Sequence, residues 1–531
     1  MRLKDFLFFI KKNKRENIFN TLYRGIEREG LRVSSGGVLS KKPHPGILGS
    51  ALTHPSVTTD FSEALLELVT PKKGSVEECY ENLSDIHHFV YKHLEEELIW
   101  CGSMPCVVNG EASIPIAYYG ESNIGKMKTI YREGLKSRYG SLMEIISGIH
   151  FNFSFSNDFW ISYKEFERSQ GKEVTEDSKE FISHSYFGLI RNVQKWGWVI
   201  PYFFGASPAL CGSFLGGTND IPSFLEKFDE KGTFFSPQST SLRLSGIGYK
   251  NSNQDQLQIS YNNLADYVEG LQKAINTKYG PWEEIGLKNE KGEFKQLNTN
   301  LLQIENEYYS TVRPKRIVPS GSSPSLGLLE KGVEYIELRS LDINPFAVAG
   351  IDKDQIKFLD IFLIYCLISE SPGFNTKENH VYEKNFSSVV LGGQNRELLL
   401  FDKDGNNQLL KEHLKSLFFE LEVVAEILDG CIGKEEEYKK VLNKYRKVFE
   451  GEELSLSEMV IEEMRTQKLS YFELISKLSE KNKQFFIQKE MDIKKEERFI
   501  DQSEKSKMEH LKIERKKRVP FELFVRNYLG R

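Results

Sequence analysis

The sequence predicts an α+β protein, with a mixed strand-and-helix body over residues 1–405 and a helical region over 406–531. Three observations carry that expectation. Short segments before residue 341 alternate apolar and polar side chains with the period of a strand. Leu417, Leu421, Val424 and Leu428 recur with helical spacing, and Lys and Glu interleave heavily beyond them. No internal repeat, low-complexity linker or sharp change of composition breaks the chain before about residue 400, so one catalytic body is the simplest organisation.

Taken in order, Leu3, Phe6, Leu7 and Ile10 have helical spacing, and the short apolar run Leu7 to Ile10 lacks the small-residue cleavage site of a signal peptide. Gly25 to Val33 reads as a strand that sends Glu27 and Glu29 to the same side. Thr59 to Thr70 contains Asp60 and ends in a strand-like run from Leu65 that Glu67 interrupts. In Ser147 to Ser154, Ile149, Phe151 and Phe153 face one way while His150, Asn152 and Ser154 face the other. Trp196 to Thr218 has no charged side chain, but Pro201, Pro208 and its glycines would leave backbone groups unpaired in lipid, so it reads as buried core. Glu334 to Ser340 buries Ile336 and Leu338 and leaves Glu337 and Arg339 together opposite. Phe358 to Ser369 is strongly apolar yet holds Asp360, which suits a buried helix. Lys477 to Arg518 reads as solvated helix, with Glu504, Glu509 and Glu514 offsetting the basic cluster Arg515 to Arg518.

A formal charge of −5 at pH 7 offers no general attraction for nucleic acid or acidic membranes, which leaves small molecules as partners. The 6 cysteines are scattered without a CxxC pair, as expected of reduced thiols in a cytoplasmic protein.

The acids on the strands are the informative feature. Any one of them alone is a solvent-facing residue or half of a salt bridge. Brought together on one sheet, each like-charge pair at about 4 Å opposes folding by roughly 4 kcal/mol at an effective dielectric near 20. A cation must offset that, and carboxylates with one imidazole and no thiolate favour Mg²⁺ or Mn²⁺ over zinc. The implied chemistry is phosphoryl transfer. Arg243, Arg339 and the run Arg313, Lys315, Arg316 supply groups that grip carboxylates and phosphates. There is no GxxxxGK[ST] loop, so ATP would be held by another device, with Arg313, Lys315 and Arg316 as candidates.

These residues sit in stretches that together resemble the bacterial glutamate-cysteine ligases (γ-glutamylcysteine synthetases, type 1): GIEREGLRV from Gly25, GSALTHPSVTTDFSEALLELVTP from Gly49, SMPC from Ser103, TIYREGLKSRYG from Thr129, ISGIHFNFS from Ile146, GWVIPYFFGASPA from Gly197, TSLRLSGIGY from Thr240, LLQIENEYYSTVRPKR from Leu301 and EYIELRSLDINPF from Glu334. The resemblance implies a curved, largely antiparallel sheet forming a glutamine-synthetase-like catalytic funnel with helices outside. It implies Glu27, Glu29, Asp60, Glu67, His150 and Glu337 as metal ligands. Arg339, with Glu337, falls to the γ-phosphoryl group and glutamate, and Arg243 to the cysteine carboxylate. Phe61, Tyr131, Leu135, Glu144, Ile146, Tyr249 and Tyr309 fall to the cysteine pocket. Glu144 stands where the family pattern expects glutamine.

The activity implied is ATP-dependent joining of glutamate to cysteine through a γ-glutamyl phosphate, with Mg²⁺ (or Mn²⁺) as cofactor and glutathione as a feedback ligand. The rival on the same scaffold is a ligase using another amine; a catalytically silent relative is disfavoured because every metal-site acid and His150 is present. Bifunctional relatives carry an added ATP-grasp domain, and this chain is expected to stop at γ-glutamylcysteine.

Overall fold

The computed structural model describes residues 2–529 apart from Cys106 and positions 217–220, 249–253, 255–256, 258, 320 and 433–435. Period-two alternation gives strands β1 (Leu22–Val33), β2 (Val57–Thr59), β3 (Leu65–Val69), β4 (Leu98–Ile99) and β5 (Ile149–Phe155). Three short strands, β6 (Ala209–Cys211), β7 (Glu226–Lys227) and β8 (Thr233–Phe235), form a small separate sheet, and β9 (Val312–Lys315) and β10 (Tyr335–Leu341) follow. The main sheet is open, in the order β2-β3-β1-β5-β10-β9, with β4 on the end of β1 and every pairing antiparallel.

One face of that sheet is largely apolar, with Arg24 and Arg28 of β1 buried on it. Ile26, Leu66, Leu68, Phe151, Phe153, Val312, Ile336 and Leu338 are all buried in a single cluster. Helices cover this face: Val76–Lys92 contributes Leu83, Ile86 and Phe89, Ser178–Trp196 contributes Phe187, Ile190 and Val193, and Lys353–Ile368 contributes Phe358, Leu359 and Phe362. Each fully buried Phe or Leu of this layer stabilises the fold by about 1.5–3 kcal/mol. The N-terminal helix Arg2–Lys12 joins the same cluster through Leu3, Phe6 and Ile10. The uncharged stretch after Trp196 becomes a short buried helix, Val199–Phe204, and strand β6.

The apolar helix Lys353–Ile368 starts at a capping box, in which Asp352 accepts from the Gln355 amide. Its internal Asp360 is wholly buried because it forms a two-pronged pair with Arg24 of β1, Nε to Oδ1 at 2.8 Å and Nη2 to Oδ2 at 2.6 Å, while the Tyr438 hydroxyl donates to Oδ2 at 3.1 Å. Three parts of the chain, sheet, central helix and helix Glu437–Glu450, meet at this one carboxylate.

Beyond residue 405, Leu417, Leu421, Val424 and Leu428 of helix Leu410–Ile432 are buried in the same cluster as the sheet. The later helices return to the front of the molecule. The Tyr471 hydroxyl donates to the Met104 carbonyl at 3.2 Å, and Glu514 accepts from the Ser122 amide at 2.8 Å, at the start of helix Asn123–Tyr139. Arg518 pairs with Glu514 at 2.6 Å. Among the described residues no helix is long and apolar enough to cross a membrane.

Removing one member of a buried ion pair leaves the other charge uncompensated, which costs about 3–5 kcal/mol. Asp360→Ala is therefore expected to lower unfolding stability by about that amount, read as a shift of the urea midpoint at unchanged slope. A loss under about 1 kcal/mol would show that the Arg24 pair is not a keystone of the core.

Candidate active site

The opposite face of the sheet carries charge, and register alone brings the groups together. Glu27 of β1 lies opposite His150 of β5, Glu29 opposite Glu67 of β3, and Glu337 of β10 opposite Asn152 of β5. Glu27, His150 and Glu337 each offer a ligand atom within 4.8 Å of the others. His150 Nδ1 lies 3.1 Å from Glu27 Oε2, and its Nε2 lies 3.6 Å from Glu29 Oε1. Asn152 Nδ2 donates to Glu27 Oε1 at 2.9 Å, and the Gly148 amide donates to Glu29 Oε2 at 2.7 Å.

The acids divide into two electrostatic classes. Although burial pushes Glu337 up, Lys315 at 3.2 Å and Arg339 at 3.0 Å, with His150 and Arg313, hold it well below the usual carboxylate range. Glu27 is also held low: burial and Glu337 raise it, but its bond to His150 and the charge of Lys315 prevail. Glu67 is different. Burial first, then Glu27, Asp60 and Glu29, push it well above the ordinary range, and Lys128 offsets this only in part. Glu29 is raised as well, by burial and Asp60 against the pull of His150. An acid cluster with one half paired and the other half short of positive charge could hold a hard divalent cation, and its oxygen-rich, thiolate-free chemistry fits one.

Asp60 follows the short strand β2 and is half-exposed; the Arg132 guanidinium donates from Nε to its carbonyl at 2.5 Å and lies 3.8 Å from its carboxylate. Beside the acids is a cavity of about 50 Å³ lined by Tyr131, Leu135, Glu144, Tyr309, Arg313 and Arg339, among others. Phe61 and Ile146 are fully buried in the apolar cluster that also holds Leu135. Burial pushes the Glu144 carboxyl up to about 8, helped by Asp60 and Glu307 and opposed by Arg132. Arg243 donates from Nη2 to the Arg339 carbonyl at 3.0 Å, which ties it to β10. A Cβ at Gly148 would overlap the Arg243 guanidinium, so the glycine is required by close approach. Arg313 donates to the carbonyls of Asn306 and Tyr308. Lys315 reaches Glu337. Arg316 points elsewhere, donating to the carbonyls of Lys331 and Gly332 at the end of helix Pro324–Lys331. Tyr249 lies outside the described residues.

Sequence reasoning passed over four residues of the site. Asn152 was visible on the polar face of its strand. Lys128 and Arg132 carry the helical i, i+4 signal that would place them on one face with Tyr131 and Leu135; the Lys128 ammonium stands 5.0 Å from the centre of the Tyr119 ring and is pushed down to about 8 by burial and Arg132. Glu307, bonded to Arg138 at 2.8 Å and accepting from the Tyr139 hydroxyl at 2.6 Å, had no local signal for this pairing, because Arg138 and Tyr139 lie far away in sequence.

Comparison with known proteins identifies the family. Residues 7–389 match the family model described as glutamate-cysteine ligase. The glutamate–cysteine ligase of Photorhabdus laumondii is 44% identical over 483 residues, covering 91% of each chain, and that of Edwardsiella ictaluri is 46% identical over 449 residues, covering 84% of each. The crystal structure of the Francisella tularensis glutamate–cysteine ligase in complex with AMP superposes with a TM-score of 0.89 at 33% identity, covering 96% of this chain and 98% of that one. A bifunctional glutathione synthetase from Pasteurella multocida shares the fold, with a TM-score of 0.69 at 24% identity over 91% of this chain and 55% of its own. The chain belongs to the glutamate–cysteine ligase family.

Proposed function

We propose that this chain joins the γ-carboxylate of L-glutamate to the amine of L-cysteine at the expense of ATP, giving γ-glutamylcysteine, ADP and phosphate, with Mg²⁺ (or Mn²⁺) as cofactor. The observation that carries the reading is the meeting of Glu27, His150 and Glu337 beside Arg339 and Lys315, next to a small cavity, in a chain of this family. Glu27, His150 and Glu337 would hold one divalent ion, and Glu29, Asp60 and Glu67 supply the further carboxylates. Bound there, the metal would neutralise the phosphates of ATP.

The protein's own contribution is placement. Arg339, steadied by Glu337, offers donors to the transferring phosphoryl group and to glutamate, while Lys315 and Arg313 extend positive charge along β9 toward the nucleotide. The γ-carboxylate attacks the γ-phosphorus, the bond to the bridging oxygen breaks, and ADP leaves. The cysteine amine then attacks the acyl phosphate carbonyl, loses a proton and expels phosphate. Arg243 takes the cysteine carboxylate, and Tyr131, Leu135, Glu144, Ile146, Phe61 and Tyr309 shape the side-chain pocket. No protein nucleophile takes part, so orientation and electrostatics supply the acceleration. The same reading makes the enzyme cytoplasmic, the first step of glutathione synthesis, and open to feedback binding by glutathione.

Incubating the chain with ATP, Mg²⁺, glutamate and cysteine should release ADP in step with γ-glutamylcysteine; ADP release that ignores cysteine would sink the proposal. Glu67→Gln should raise the Mg²⁺ concentration for half-maximal rate by about tenfold, the order expected for a lost ligand, with unchanged circular dichroism. An unchanged Mg²⁺ requirement would remove Glu67 from the site.

Glu144 gives a pH signature. Its carboxyl titrates near about 4.3 in the unfolded chain and is pushed up to about 8 in the fold. The native state therefore binds the extra proton between those values, and the stability this contributes, full below about pH 4, is lost as pH rises to about 8. In metal-free buffer the Glu144→Gln variant should gain steadily on the wild type across that window in thermal melting, and the difference should level off above it. A difference independent of pH would mean that Glu144 is ionised throughout.

A further inference from the structure

Asp342, the first residue after β10, is 1% exposed and stands apart from the acid cluster, yet it takes more polar contacts than any acid on the sheet face. Its Oδ2 accepts from the Ala206 amide at 2.9 Å and from the Ser207 hydroxyl at 2.5 Å, and its Oδ1 accepts from the Ser241 hydroxyl at 3.0 Å. Ser207 and Ser241 are themselves bridged in parallel, and the Leu242 amide donates to the Ser207 carbonyl at 2.7 Å. The Ser241 hydroxyl also accepts from the Leu244 amide at 3.3 Å, capping the single turn Leu242–Leu244. That turn carries Arg243, whose Nη1 stands 3.6 Å from Asp342 Oδ1.

The guanidinium is 4% exposed and donates from Nη2 to the Arg339 carbonyl, but among the described residues its Nε and Nη1 have no hydrogen-bond partner. Buried charged donors left unmade are costly, and a ligand anion that meets them gains correspondingly. Asp342 faces this arginine and fixes its turn without consuming its free donors: at 3.6 Å it is near enough for charge attraction and too far for a hydrogen bond.

We infer that Asp342 is a positioning residue that presets Arg243 for the α-carboxylate of the acceptor amino acid, and so sets the enzyme's preference for an amino acid over a simple amine. The inference rests on the reading of Arg243 as the acceptor-carboxylate group. Ser207 and Ser241 are its supports, each bonded to Asp342 from a different segment.

The test compares kcat/KM for cysteine with kcat/KM for cysteamine, which lacks the carboxylate, in wild type, Arg243→Lys, Asp342→Asn and the double variant. Asp342→Asn should lower the cysteine-to-cysteamine ratio by about tenfold or more, the scale of one lost charged contact, through KM for cysteine, with KM for ATP and glutamate little changed. The double variant should fall no further than the worse single one, since both act through one guanidinium. Equal losses on both amines would mean a merely structural aspartate and overturn the inference. A ratio that moves in Arg243→Lys and not in Asp342→Asn overturns it too, leaving the reading of Arg243 standing; a ratio unmoved in Arg243→Lys overturns both. Should Asp342→Asn fail to fold, Ser241→Ala, which removes one support, should lower the same ratio, and an unchanged ratio there overturns the inference.

Discussion

Everything at the front of this molecule depends on carboxylates that strand register forces together. Glu29 and Glu67 are directly opposed on neighbouring strands, Glu27 lies two residues along, and Glu337 completes the group from two strands away. Strand pairing cannot relax this: moving β1 by one residue would turn its entire apolar set toward the polar face. The repulsion is therefore locked in by hydrophobic burial on the other side, and only charge brought from elsewhere can offset it. Lys315 and Arg339 do so for Glu337, and Asn152 and His150 for Glu27. Glu67 and Glu29 are left raised, so that half of the cluster is the one still short of positive charge.

The apolar side has to be stiff for this to work, and a buried ion pair serves that end. Arg24 leaves the same strand as Glu27 but on the core face, and its fork to Asp360 ties the strand to the central helix, with Tyr438 tying in the helices that follow residue 405. The pair is excluded from water and wholly satisfied, since the remaining Arg24 donors reach the Leu22 and Gly74 carbonyls. A sheet loaded with like charge on one side is held in register by a satisfied opposite pair on the other.

Legibility followed the range of the forces involved. The strands carrying Glu27, His150 and Glu337 were visible because alternation is local, and Asp360 was visible as an anomaly in an apolar helix. Its partner was not, because Arg24 lies more than three hundred residues away. The same holds for Glu307 with Arg138 and for Asp342 with Ser207 and Ser241. Asp60 was read from the start of a strand-like segment, and the structure puts it in the bend between β2 and β3, where the Arg132 fork meets it. Arg316 was grouped with its neighbours by charge alone, and backbone carbonyls at a helix end claim it instead.

Glu144 shows how environment can make one residue stand for another. An ionised glutamate in place of the glutamine that the family pattern expects would add a further negative charge near Asp60, Glu307 and Glu29, in a cavity that tyrosines and Leu135 share with Arg313 and Arg339. A neutral carboxylic acid adds none, and like an amide it sets a donor group beside a carbonyl acceptor in nearly the same shape, with one donor hydrogen where the amide has two. Burial first, and then the acids around it, push its carboxyl up to about 8, which favours the protonated form at neutral pH. An acid can stand for an amide here because the position is buried first and faces other acids second; at an exposed position beside an arginine the same change would have produced a charge.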